Sequence, residues 1–134
     1  MHIQFSPEEI GHFLLPRENV IESFVVENEG TITDFMSFYS LPSSILKHPQ
    51  YSILNVAYSY YNVANTVDLR DLLNTTLSIA KEKGYDVFNM LDIMENEPVV
   101  KDLNFGVGDG NLHYYLYNWR VNKLNVKELG MVLV

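Results

Sequence analysis

Residues 105–119 read FGVGDGNLHYYLYNW and hold the densest group of chemically capable side chains in the chain. Gly106, Gly108 and Gly110 alternate around Asp109. Glycines let a backbone come close to a ligand, and Asp109 could accept a hydrogen bond or pair with a cation. The spacing G-x-G-x-G, with no helical pattern after it, is not a dinucleotide fingerprint. The Gly-Lys-Ser/Thr ending of a phosphate loop is missing, and Asp109 would repel a phosphate. On spacing alone the stretch reads either as a tight turn before a strand or as a loop approached by a polar ligand.

Other chemistry is sparse. His2, His12, His48 and His113 show no i, i+4 pair, and there is no cysteine. A metal site is therefore not expected. A thiol nucleophile and a disulfide framework are excluded. His113 lies among aromatic residues and is expected to be packed rather than to act as a base. No G-x-S-x-G elbow is present. Tyr58, Tyr60, Tyr61, Tyr114, Tyr115 and Tyr117 are expected in the core or on a sheet face, their hydroxyls finding partners.

The elements that must position these groups follow from pattern. Ser6-Pro7-Glu8-Glu9 combines a capping serine, a first-turn proline and the glutamate of a capping box, so a helix should run to about Leu14. Val20–Glu27 and Thr31–Ser40 flank Asn28-Glu29-Gly30 and predict a hairpin. Ile53–Val63 suits a buried strand. Leu69, Leu72, Leu73, Leu77 and Ala80 form one apolar stripe, predicting a helix over 68–83 ended by Gly84. A short strand over 86–91, a short helix over 95–103, and strands over 113–119 and 128–134 complete the pattern. The fold class is α+β, one domain over 1–134 around a mostly antiparallel sheet with flanking helices.

The chain has 134 residues, 47% of them hydrophobic, with 9 Lys and Arg against 17 Asp and Glu. A net charge of −8 repels nucleic acid and anionic lipid, and favours basic partners. No signal peptide is recognisable at the start, and a cytoplasmic protein is the simplest reading. Gly130-Met131-Val132-Leu133-Val134 is apolar to its last residue. Ends of chains are usually polar and frayed, so this one is expected to be drawn into the fold.

The glycine-aspartate stretch closely resembles the C-terminal signature of the N-myristoyltransferase (glycylpeptide N-tetradecanoyltransferase) family. FVVEN (24–28), TDFMSFYSLPSSI (33–45), AYSYYNV (57–63) and GYDVFNMLDIMEN (84–96) resemble further blocks of that family, in the same order. The resemblance runs from Phe5 to Val134. It implies one half of a fold built from two GNAT-type acyltransferase halves. The implied activity is transfer of myristate from myristoyl-CoA to the N-terminal glycine of a protein.

The resemblance also assigns expected roles. Asp109 and Gly110 would contact a serine of the substrate peptide, and Leu112 would wall its groove. Ser43 and Tyr58 would line the same groove. The α-carboxylate of Val134 would be the general base that takes a proton from the glycine ammonium. The acyl donor myristoyl-CoA would bind mostly in the family's other half, together with the oxyanion hole. No tightly bound cofactor is implied. The chain taken alone is then expected to be inactive, and to self-associate through apolar surface that normally meets its twin. The other readings are a non-catalytic peptide-binding module and a complete small acetyltransferase. The latter would need a strand-to-helix glycine loop for the CoA pyrophosphate, and no such loop is found.

Overall fold

A computed structural model describes residues 1–133. Helix α1 (Pro7–Phe13) starts at the predicted capping box: the Glu9 amide donates to the Ser6 hydroxyl, and Glu9 accepts from the Ser6 amide. Strands β1 (Ile21–Asn28) and β2 (Thr31–Ser40) form the hairpin. Its two turn residues, Glu29 (φ 49°) and Gly30 (φ 79°), both lie in the left-handed region. That is the turn whose twist matches a right-twisted strand pair.

β3 (Ser43–Ser44) and β4 (Ile53–Leu54) form a separate two-stranded ribbon. β5 (Val56–Val63) pairs antiparallel with β2. Helix α2 (Leu69–Glu82) then carries the chain across to β6 (Val87–Asn89), which pairs parallel with β5. The sheet order is β1-β2-β5-β6. A parallel neighbour needs such a crossover, so the β5–α2–β6 unit accounts for the one parallel pair. Helix α3 (Asn96–Asp102) and a single 3₁₀ turn (Val126–Glu128) complete the regular structure.

Caps decide where helices stop. Gly84 (φ 83°) ends α2, its amide donating to Lys81 O while Tyr85 N donates to Ala80 O. Asn104 (φ 56°) ends α3 in the same way, with Phe105 N donating to Val100 O at 2.9 Å. This paired pattern satisfies carbonyls the helix leaves open. It also delivers the Phe105 ring onto Phe88, at 6.4 Å between centroids, which fixes the start of the glycine loop.

The sheet has a core on each face. On one, Phe38, Ala57 and Ala80 are buried together beneath α2, with Phe24, Tyr85 and Phe88 around them. On the other, Ile21, Tyr60, Ile93 and Val132 are buried, with Tyr39, Tyr61, Met94 and Leu129 packed against them. Period-two alternation along β2 and β5 sends Phe38 one way and Tyr39 the other.

Three expectations need correction. The strand expected over 53–63 breaks at Asn55, whose amide donates to the Asp86 carboxylate and whose carbonyl accepts from Asp86 N and Val87 N. With its backbone engaged by Asp86, Asn55 separates β4 from β5. The strand expected over 113–119 is irregular and, Tyr114 apart, exposed: among the described residues it pairs with no strand. Where a strand is expected over 128–134, the described residues 128–133 show the end of a 3₁₀ turn and one bridge, Gly130 to His2.

The turn between β5 and α2 is held by Asp34, which is buried. Its carboxylate accepts from the amides of Asn65 (2.7 Å), Thr66 (2.8 Å) and Val67 (3.2 Å), and from the hydroxyls of Thr33 and Thr66. Burial pushes the carboxyl pKa up, but these donors more than offset it and hold the group below the usual carboxylate range. A carboxyl whose folded pKa is depressed adds stability that is present above the unfolded value, about 3.9, and lost as pH falls through the folded one. Asp34→Asn is therefore expected to unfold at lower urea than the parent at pH 7. The gap between their urea midpoints should narrow at pH 3. A gap that is the same at both pH values would refute this account.

Candidate functional site

The site is built on the sheet face opposite α2. Tyr39 and Tyr58 are cross-strand partners whose rings stack at 5.3 Å and 15°. Tyr60 meets Tyr39 edge-on at 5.7 Å. Adjacent residues of a regular strand point to opposite faces, yet the Tyr60 and Tyr61 rings lie only 4.5 Å apart. The cause is a register shift. Met36 pairs with Asn62 but Phe38 pairs with Ser59, so Ser37 alone faces both Tyr60 and Tyr61. Such a bulge re-aims a side chain. Ser37 is buried, and its hydroxyl donates to Tyr61 O (2.9 Å) and accepts from Tyr61 N (3.0 Å), replacing the missing ladder bonds.

The bulge adds Tyr61 to the aromatic face. Phe5 meets its ring edge-on at 5.6 Å. The final segment of the chain lies across this face. The Val132 amide donates to the Tyr61 hydroxyl at 3.1 Å, and the Tyr114 hydroxyl donates to Met131 O at 2.7 Å. Val132 itself is buried. Burial raises the pKa of Tyr39, Tyr60 and Tyr114, with neighbouring tyrosines adding to it, so these hydroxyls stay protonated through neutral pH.

The glycine loop projects from this assembly. None of Gly106, Gly108 and Gly110 has a positive φ, and a Cβ at any of them would meet nothing within 4 Å. Among the described residues, then, nothing requires glycine at these positions. Beyond the loop, Tyr115, Tyr117 and Trp119 are 86%, 87% and 77% exposed. A cavity of about 590 Å³ lies under this stretch, between Leu112, Tyr114, Trp119, Arg120 and Leu129. A second, of about 360 Å³, lies between Met1, His2, Asn62 and Glu128. No group of three or more His, Asp or Glu is placed to hold a metal ion among the described residues.

Residues 1–131 match the family model described as myristoyl-CoA:protein N-myristoyltransferase, C-terminal domain. The chain belongs to the N-myristoyltransferase family. It is 53% identical over 133 residues to glycylpeptide N-tetradecanoyltransferase 1 of Arabidopsis thaliana, covering 97% of this chain and 31% of that protein. The Plasmodium falciparum glycylpeptide N-tetradecanoyltransferase is 43% identical over the whole chain, which covers 33% of it. The chain thus spans about a third of the length of these relatives.

The fold agrees. The crystal structure of Saccharomyces cerevisiae N-myristoyltransferase with bound myristoyl-CoA superposes with a TM-score of 0.72 at 37% identity, over 79% of this chain and 31% of that one. An aminoglycoside acetyltransferase from a soil metagenomic sample superposes at a TM-score of 0.55 and 16% identity, a likeness of fold alone. The α+β, acetyltransferase-like architecture expected from sequence is the observed one.

The structure places the expected N-myristoyltransferase site residues unevenly. Tyr58 is half-buried on the aromatic face, stacked on Tyr39. Ser43 is exposed at the start of the β3–β4 ribbon. Leu112 lines the larger cavity, whereas Ser43, Tyr58, Asp109 and Gly110 line neither cavity. Asp109 and Gly110 are exposed at the loop tip. His113 is exposed, not packed, because the strand that would have buried it does not form. Val134, the expected base, lies outside the described residues. Sequence reasoning missed Ser37 and the separate role of Tyr61. The only sequence signal was a serine amid the apolar residues of β2, opposite consecutive tyrosines in β5.

Proposed function

We propose that this chain is the peptide-recognising and base-supplying part of an enzyme that moves myristate from myristoyl-CoA to the N-terminal glycine of a protein. The observation that carries the reading is the glycine loop: it keeps three glycines where nothing among the described residues requires them. Glycines of that kind suit the close approach of another molecule's backbone, here a substrate peptide lying past Asp109, Gly110 and Leu112. Tyr58 and Ser43 belong to the same groove in this reading.

The incoming α-amino group has a pKa near 7.7–8.0 and is largely protonated at neutral pH, so it must lose a proton before it can attack the thioester. A carboxylate within hydrogen-bond reach performs that step as general base. The Val134 α-carboxylate has this role here. Val132, two residues before it in the sequence, is buried beside the tyrosines, which supports the reading. The attack forms the amide bond and expels the CoA thiolate. Stabilisation of the thioester oxygen and binding of myristoyl-CoA fall to the remainder of the protein.

Calorimetric titration of the chain with a glycine-initiated, serine-containing peptide tests the reading. Binding is expected to require the free amine and to be lost when the peptide is acetylated at its N-terminus. Equal binding of both peptides would favour a peptide-binding module without the base. Binding of neither would leave the groove to be completed by the rest of the protein and would overturn the assignment of recognition to this part alone.

A further inference from the structure

The last segment of the chain is held by two contacts of one kind. Tyr61 and Tyr114 come from β5 and from the irregular loop, far apart in sequence. Their hydroxyls meet adjacent residues of the tail, one accepting from the Val132 amide and the other donating to the Met131 carbonyl. Both rings are fixed from behind. Tyr61 is set by the Ser37 bulge and packs against Phe5 and Tyr60. Tyr114 is half-buried while its loop neighbours Tyr115 and Tyr117 are exposed.

We propose that Tyr61 and Tyr114 form a two-point clamp that fixes the tail so that the terminal carboxylate reaches the substrate amine. This rests on the reading of Val134 as the base and assigns its positioning residues. The two contacts hold consecutive residues, Met131 by its carbonyl and Val132 by its amide, so the backbone is fixed at that point in both position and direction. A general base works only when its acceptor atom sits at hydrogen-bond distance, and a displacement of about 1 Å can cost on the order of 100-fold in rate. Because Tyr114 is a donor, its burial, which keeps the phenol protonated, suits the clamp.

The test uses Tyr61→Phe, Tyr114→Phe and the double variant, which keep the rings and remove only the hydroxyls. Tyr85→Phe, on the opposite sheet face, is the comparison. Carboxypeptidase trimming of the folded chain, followed by mass spectrometry, reads the tail directly. The double variant is expected to lose Leu133 and Val134 at least about tenfold faster than the parent, with Tyr85→Phe unchanged. In protein carrying this chain with the remainder its relatives have, each clamp variant should lower kcat about 10- to 100-fold. The peptide KM should stay within about twofold. Trimming at the parental rate would overturn the clamp. So would a fall in activity that follows the thermal midpoint or appears in KM alone. A residue appended after Val134 separates the clamp from the base reading. Turnover indifferent to that residue would sink the base reading. Turnover sensitive to it but indifferent to the tyrosine substitutions would sink the clamp alone.

Discussion

If the Val134 carboxylate is the base, appending one alanine after it, in protein carrying this chain with the remainder its relatives have, is expected to lower turnover of a glycine-initiated peptide by about 10²–10⁴, the range that general base catalysis supplies. The added peptide bond turns the Val134 carboxylate into a neutral amide, which does not accept a proton at neutral pH. The new carboxylate lies one residue further on, displaced by up to about 3.5 Å, beyond hydrogen-bond reach of the amine. Peptide affinity should change far less, because the groove residues are untouched. The extended enzyme should regain activity as pH rises through about 8, where the amine loses its proton to solvent. The parent should gain less over the same interval. Steady-state kinetics from pH 6.5 to 9.5 on both proteins check this. Turnover within about threefold of the parent at pH 7 would end the case for the terminal base.

Phe38→Ala is expected to cost about 3–5 kcal/mol of folding stability. Phe38 is fully buried. Its ring stands edge-on to Tyr85 at 5.5 Å and to Phe88 at 5.8 Å, and Phe24 stacks on it at 6.3 Å. It is the side chain through which β1, β6 and the end of α2 reach one another. Truncation leaves a cavity between rigid rings that cannot collapse into it. A domain of this size has about 5–15 kcal/mol in total, so a fall in Tm of at least about 10 °C should follow. Phe24→Ala, at a half-buried site on the edge strand, should cost clearly less. Equal losses at the two positions, by urea unfolding, would show that the core is not organised around Phe38.

Elements set by neighbours in sequence were legible. Ser6, Pro7 and Glu9 announce α1, and the stripe from Leu69 to Ala80 with Gly84 announces α2. Asn28-Glu29-Gly30 between two strand-like runs announces the hairpin. Features set by partners far along the chain were not. Asn55 reads as one more strand residue until Asp86, 31 positions away, takes its amide. Asp34 reads as a surface charge in a strand, and only the return of residues 65–67 shows that it closes a turn. The aromatic run after Gly110 has strand-forming residues, but strand propensity expresses a fit to a half-buried sheet, and among the described residues the run pairs with no strand. The candidate site divides along the same line. Ser43, Tyr58, Asp109, Gly110 and Leu112 came from a family resemblance. Ser37, Tyr61 and Tyr114 emerge as a unit only when the bulge and the tail are seen together.

The tyrosine contacts to the tail touch main-chain atoms only. An amide and a carbonyl are offered by nearly every residue, so these contacts hold whichever side chains the segment carries. Val132 is constrained by the volume it fills, while Leu133 is exposed and free of that constraint. Substitutions at Met131 and Leu133 should therefore leave both contacts in place, whereas a proline at 132, which has no amide hydrogen, should remove one of them.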